Sequence, residues 1–127
     1  MSRFFLVCIG GAIGTGIRYL VAITAPRLFG TAFPYGTLAV NVVGSFLLGA
    51  ILHLGLATTL ISPTMKLVLA SGIMGGLTTY STFNYETLEY VSQGAFWLAG
   101  LNVVATVTLC LLAGALGVTS ARWLLGS

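Results

Sequence analysis

The feature that most constrains this sequence is the length of its uncharged apolar segments. Charged side chains make up 6% of the 127 residues, and hydrophobic side chains make up 57%. Soluble domains carry about 25% charged residues, so a soluble fold of this chain would leave too little polar surface facing water. A membrane-spanning helix needs about 20 consecutive, predominantly apolar residues. The sequence therefore predicts an all-α integral membrane protein.

Four apolar segments are long enough to cross a membrane, and short turn-forming stretches separate them. The predicted spans cover residues 4–24, 36–60, 65–91 and 95–121. Pro26, Gly30 and Pro34 indicate a connection after the first span. Pro63 suits the first turn of the third helix, and Gly94 indicates a tight turn before the fourth. Residues 1–127 are thus interpreted as one transmembrane domain.

The third span holds the densest group of glycine and hydroxyl residues in an otherwise apolar segment. This group consists of Gly72, Gly75, Gly76, Thr78, Thr79, Ser81 and Thr82. The sequence predicts a short helix, a break near residues 75–79, and a second short helix that ends near Glu89. In hydrocarbon, each backbone group freed by a break costs several kcal/mol unless it is buried in protein or lines a polar cavity. This stretch is therefore the predicted functional site.

Two other spans carry a polar stripe along one helical face, because their polar residues recur every four positions. The stripe of the second span is Thr37, Asn41 and Ser45. The stripe of the fourth span is Asn102, Thr106 and Cys110, with Thr108 close by. For Asn41 two interpretations remain open, a hydrogen bond between helices and an amide that lines a pore.

The predicted break has chemistry suited to two kinds of ion. Tyr80 and Phe83 are three residues apart, so their rings lie on one face of the second short helix. Aromatic ring edges are positive and can coordinate a small anion, to which Ser81, Thr82 and Asn41 can also donate. Carbonyls freed within residues 75–79 suit a hard cation such as Na⁺. The spacing alone does not choose between anion and cation.

Basic residues are almost evenly divided between the two sides of the predicted four-span topology. One side carries Arg3, Lys66 and Arg122, and the other carries Arg18 and Arg27. Orientation normally follows an excess of Lys and Arg on the cytoplasmic side. With so small a difference the chain can insert both ways, which permits an antiparallel, dual-topology homodimer with its twofold axis in the membrane plane.

The first span combines closely spaced glycines with one charge. Gly10 and Gly14 have the spacing that lets two helices approach closely. Arg18 lies near one end of the same span. It either extends to the lipid headgroups or has a structural or vestibule role at a pore mouth, and both interpretations remain open.

The sequence does not indicate an enzyme, a metal centre built from side chains or a nucleic-acid-binding protein. It contains no Asp and no recognised catalytic motif. His53 is the only His, and Cys8 and Cys110 lie in apolar runs where cysteines usually pack as small hydrophobes. No cluster of basic residues suggests a nucleic-acid partner.

Two other membrane functions fit four spans. A small multidrug-type exporter is the main alternative to a channel, since it combines four spans with dual topology. Such pumps need a membrane-embedded carboxylate for proton coupling, and Glu86 and Glu89 lie near a predicted helix end. A scaffold subunit is the third possibility, and hydropathy does not exclude it.

Three motifs resemble those of the Fluc (CrcB) fluoride channel family. They are GGLTTYSTF at residues 75–83, GTLAVNVVGSF at 36–46, and GGAIG at 10–14 followed by Arg18 and Tyr19. The resemblance covers nearly the whole chain. It implies a passive fluoride-selective channel, built as an antiparallel homodimer with two pores in a bacterial plasma (inner) membrane, that exports fluoride and confers resistance to it.

The same resemblance implies roles for individual residues. Tyr80, Phe83 and Asn41 would face the fluoride pores, and Ser81 and Thr82 would belong to the polar ion path. Carbonyls of Gly75 and Thr78 from both subunits would hold a structural Na⁺. Possible pore-lining or vestibule residues are Arg18, Thr37, Thr106 and Thr108. The family usually has Phe where this chain has Tyr80, which places its conduction rate and selectivity in question.

Overall fold

The computed structural model describes residues 1–126, and helices with short connections account for all of them; no β-strand occurs in that range. Helix α1 is Ser2–Phe29, α2 is Tyr35–Ala57, and α5 is Phe96–Leu125. Each of these three helices is long and apolar enough to cross a membrane. Large apolar side chains are exposed along all three, as expected of surfaces that face lipid or another subunit. The chain is therefore a multi-pass membrane protein.

The region between α2 and α5 contains two shorter helices. Helix α3 covers residues 63–77 and consists of Pro63–Leu67, a π-helical stretch Val68–Met74, and a last turn Gly75–Leu77. Ser62 caps its start, because its hydroxyl accepts the N–H of Met65 at 3.1 Å. Helix α4 is Tyr80–Ser92.

Thr78 and Thr79 connect α3 to α4 in an extended conformation, with φ/ψ of −82°/156° and −151°/123°. These two extended residues lie at the end of the range 75–79, where the sequence predicts a break. Gly75 and Gly76 were predicted to lie in the break, but both are helical. Their lack of side chains serves packing instead, since a Cβ on Gly76 would collide with the carbonyl oxygen of Gly11 in α1.

Glycines also set other contacts between helices. Gly14 of α1 lies against the backbone of Ile73, and Gly117 of α5 lies against the backbone of Phe46 in α2. A Cβ at either glycine would collide with the facing carbonyl oxygen. Without a hydrophobic driving force between helices in lipid, such close backbone approach is a main source of association energy.

The predicted helix limits differ from the observed ones by a few residues. Pro26 was expected in a connection, yet α1 continues through it to Phe29. A proline fits helical φ and removes only one backbone hydrogen bond, so a position near the helix end tolerates it. Gly30 then ends α1 with φ of 83°, and α2 ends at Ala57 instead of near residue 60.

Candidate functional site

The extended segment between α3 and α4 is held by the side chain of Asn41. The Asn41 amide nitrogen donates to the carbonyl oxygen of Thr79 at 3.0 Å, and the Thr79 N–H donates to Asn41 Oδ1 at 2.8 Å. Asn41 is 8% exposed. One side chain on α2 thus replaces two backbone hydrogen bonds that an unbroken helix would have made. This pairing explains how the break is tolerated in an apolar setting.

Both helices beside the break are capped by hydroxyl side chains. At the end of α3, the Thr78 hydroxyl donates to the Met74 carbonyl at 2.8 Å. At the start of α4, the Thr79 hydroxyl accepts the Thr82 N–H at 3.2 Å and lies 3.1 Å from the Thr82 hydroxyl. Ser81 Oγ lies 3.4 Å from the same Thr79 hydroxyl. The hydroxyl cluster that the sequence shows is therefore arranged around a helix N-terminus.

Arg18 contacts the last turn of α3. Its Nε donates to the carbonyl oxygen of Gly76 at 2.9 Å. A cation at the C-terminal end of a helix interacts favourably with the helix dipole and satisfies a carbonyl that has no helical partner. Of the two interpretations of Arg18, the structure shows this structural contact, and a vestibule role stays a prediction.

The break opens onto a cavity of about 450 Å³ between α2, α4 and α5. Several predicted site residues meet there although they are distant in sequence. Its lining includes Asn41, Thr78, Thr79, Tyr80, Phe83 and Thr106. Ser45 and Cys110 also line it, so the polar stripes of α2 and α5 both reach this cavity.

The two aromatic rings of the cavity lie edge to face. The ring centroids of Tyr80 and Phe83 are 5.7 Å apart, with an interplanar angle of 65°. Phe83 is 8% exposed, whereas Tyr80 is 77% exposed. The positive edges of such rings, together with the neighbouring hydroxyl donors, can coordinate a small anion that has shed its water.

The remaining predicted residues lie elsewhere. Thr37 and Thr82 line a second cavity of about 330 Å³, near the connection between α1 and α2. Ser81 and Thr108 are exposed, and neither lines a cavity described within residues 1–126. Their predicted roles in an ion path stay predictions.

Glu86, a residue without a predicted role, also lines the second cavity. Thr37 lines the same cavity. The Glu86 carboxylate oxygen Oε1 is buried and has no hydrogen-bond partner within residues 1–126. The available signal was its spacing, because Glu86 follows Thr82 by four residues and therefore shares its helical face.

Comparison with known proteins identifies the family. A family model described as "CrcB-like protein, Camphor Resistance (CrcB)" matches residues 5–118. The chain belongs to the CrcB family. The resemblance inferred from the three motifs is thus confirmed.

Several CrcB relatives match over nearly their full length. A protein of Anaeromyxobacter sp. (strain K) is 51% identical over 126 residues, which cover 99% of this chain and 100% of the relative. One of Sorangium cellulosum is 52% identical over 98% of both chains. One of Geobacter sulfurreducens is 47% identical over 98% of this chain and 100% of the relative. All three are named "Fluoride-specific ion channel FluC".

Proposed function

We propose that this CrcB-family chain is a fluoride-selective ion channel that exports cytoplasmic fluoride down its electrochemical gradient and so confers fluoride resistance. The proposal rests on one observation. Over nearly its full length, the chain shares about half of its residues with each of three proteins named fluoride-specific ion channels. The multidrug-type exporter is not favoured, because no relative described above is named as one. A channel of this kind is not an enzyme.

The cavity between α2, α4 and α5 is the proposed fluoride site. Tyr80 and Phe83 present ring edges, and Asn41 has a second amide N–H beyond the one given to Thr79. Thr106 also lines the cavity, with its hydroxyl 3.5 Å from Asn102 Oδ1. Donors fixed before the ion arrives replace its hydration shell without reorganising. Conduction also requires that each contact be weak enough to release the ion.

Thr82 and Ser81 extend the proposed path along the first turn of α4, and Thr37 continues it into the second cavity. Arg18 and Thr108 are proposed to act near its mouths. Thr82 lies in the first turn of α4 and lines the cavity that contains Thr37. Hydroxyls spaced in this way offer an anion successive donors as it moves.

The functional unit is proposed to be an antiparallel homodimer. In a single chain the cavity is open and Tyr80 is largely exposed, so the site lacks a wall on that side. The even division of basic residues permits both orientations. In this arrangement α3 and α4 together form a fourth, broken crossing of the bacterial plasma (inner) membrane, and each subunit's α4 helps to enclose a pore.

A structural Na⁺ is the proposed cofactor, held by the carbonyls of Gly75 and Thr78 from both subunits. The donors fit: within residues 1–126, no hydrogen bond reaches either carbonyl. The Thr79 N–H, which would bond to Gly75 in a continuous helix, bonds to Asn41 instead. Freed backbone carbonyls are suitable oxygen ligands for a hard cation.

Fluoride efflux from liposomes tests the function. The purified protein is reconstituted into vesicles loaded with potassium fluoride, valinomycin is added, and an electrode records external fluoride without any pH gradient. We expect rapid fluoride loss only when valinomycin lets K⁺ compensate the charge. Two results would contradict a passive channel. One is fluoride loss that requires a proton gradient, and the other is fluoride loss no faster than that from protein-free vesicles.

Replacing Tyr80 by Phe is expected to raise fluoride flux about fivefold, which corresponds to removing one hydrogen bond of about 1 kcal/mol that holds the ion. The Tyr80 hydroxyl has no hydrogen-bond partner within residues 1–126, so it is free to donate to an anion. Tyr85→Phe is the matched control, because Tyr85 is also an exposed tyrosine of α4 but does not line the cavity. Equal fluxes in Tyr80→Phe and the parent would show that the Tyr80 hydroxyl does not retain fluoride.

A further inference from the structure

A partly buried chain of polar side chains connects α5 to the backbone that carries Phe83. Asn102 of α5 is 1% exposed, and its amide nitrogen donates to the Thr87 hydroxyl of α4 at 2.9 Å. That hydroxyl in turn donates to the Phe83 carbonyl oxygen at 2.8 Å. The Thr106 hydroxyl, 3.5 Å away, donates to Asn102 Oδ1. Thr87 therefore both accepts and donates, an arrangement in which each hydrogen bond polarises the other.

Apolar packing contributes little to fixing α4 in the chain. Phe83 is the only residue of α4 that is buried. The start of the helix is held through Thr79, and near its end the Tyr90 hydroxyl donates to the Ala32 carbonyl at 2.8 Å. In the middle of the helix, the described hydrogen bond to α5 is the one between Asn102 and Thr87.

The Asn102–Thr87 contact lies on the same face of α4 as the two rings. Residues 80, 83 and 87 are spaced by three and four positions, so they lie on one face of α4. Tyr80 and Phe83 line the cavity, and Thr87 follows them along the same face toward α5. Rotation of α4 about its axis would move all three side chains together.

We propose that Thr87 and Asn102 are positioning residues that fix the rotation of α4 against α5 and thereby hold the Tyr80 and Phe83 ring edges in the geometry that selects fluoride over chloride. Neither residue lines the cavity, so Thr87 acts through α4, and Asn102 acts through Thr87 and through its contact with Thr106. The inference rests on the proposed fluoride function. The alternative is that the hydrogen bond only adds to helix association, where such bonds contribute about 0.6 kcal/mol on average.

The test compares Thr87→Val with Thr87→Ser and Thr119→Val. Valine keeps the shape of threonine but removes the hydroxyl, and serine keeps the hydroxyl. Thr119 is the matched control, because its hydroxyl also donates to the carbonyl four residues earlier, at 2.8 Å, but accepts no described bond from another helix. We expect Thr87→Val to lower the fluoride-to-chloride permeability ratio about tenfold, or about 1.4 kcal/mol. Thr87→Ser and Thr119→Val should keep the parent ratio.

A second readout does not depend on conduction. 4-Fluorophenylalanine placed at position 83 reports ring geometry by ¹⁹F NMR in detergent. Thr87→Val should shift or split this signal, whereas Thr119→Val should not. If the parent chain conducts no fluoride, the proposed function fails while this measurement still decides the positioning role.

The double variant Thr87→Val/Asn102→Leu covers the case in which Thr87→Val fails to fold. Replacing both partners by apolar groups of similar shape can be nearly neutral for stability, because the Asn102 amide donor is removed together with its Thr87 acceptor. The Thr106 hydroxyl loses only its 3.5 Å contact with Asn102 Oδ1. The positioning role predicts a folded protein with the lowered permeability ratio and the altered ¹⁹F signal. A parent-like ratio and signal in this folded double variant would overturn the proposal.

Discussion

Replacing Asn41 by leucine is expected to abolish fluoride conduction and to destabilise the chain. The substitution removes both hydrogen bonds to Thr79, so the N–H and the carbonyl of Thr79 lose their partners. Each buried unsatisfied group costs about 1–3 kcal/mol. The extended segment would then have nothing that fixes it, and the ring edges of α4 would lose their position. Fluoride efflux and thermal unfolding in detergent measure the two effects.

Two further variants make the Asn41 result specific. Ser45→Ala is the matched control, because Ser45 lies one turn further along α2 and lines the same cavity but makes no described hydrogen bond. We expect it to unfold like the parent. Asn41→Asp keeps the acceptor for the Thr79 N–H, loses the donor and adds a negative charge, so it should fold better than the leucine variant while still failing to conduct. Parent-like efflux from Asn41→Leu would show that the break does not depend on this side chain.

Replacing Gly14 by alanine is expected to have a comparable effect on folding. The new Cβ would collide with the Ile73 carbonyl oxygen and lie 2.8 Å from the Leu77 nitrogen, both of them backbone atoms of α3. Backbone cannot move aside as a flexible side chain can, and overpacking of this kind costs about 1–3 kcal/mol or more. The displaced α3 would also separate Gly76 from Arg18.

Gly16→Ala is the matched control for Gly14→Ala. Both glycines belong to α1, but a Cβ on Gly16 meets nothing within 4 Å. Alanine there should keep or raise the unfolding temperature, since glycine is about 1 kcal/mol less favourable than alanine in a helix. Thermal unfolding in detergent compares the two variants. Equal unfolding temperatures would contradict the close α1–α3 contact.

The apolar spans and the family motifs could be predicted from the sequence, because hydropathy and local spacing are properties of continuous segments. The position of the break could be predicted only approximately. Glycine is the residue most expected at an interruption, yet Gly75 and Gly76 are helical and Thr78 and Thr79 are extended. The interruption depends on a partner in another helix, Asn41, which the local sequence does not reveal.

Dependence on long-range contacts also explains why the roles of two side chains stay open at the level of sequence and why a third residue is not predicted. Asn41 and Thr79 are 38 residues apart, and Arg18 and Gly76 are 58 apart, so the open alternatives for both side chains concerned long-range contacts. Thr87 carries no motif of its own, and its contact with Asn102 depends on how α4 packs against α5. Polar stripes locate a face of a helix, but only the folded chain shows which face it meets.

Selectivity in a planar bilayer tests the central proposal, a fluoride-selective passive channel, most directly. The protein is reconstituted into a bilayer with a tenfold higher fluoride concentration on one side. Chloride on the other side equalises the total anion concentration, and the reversal potential is recorded. A fluoride-selective channel should reverse near the fluoride equilibrium potential, about 59 mV in magnitude for a tenfold gradient of a univalent ion. Reversal near zero, or at the chloride equilibrium potential, would contradict fluoride selectivity.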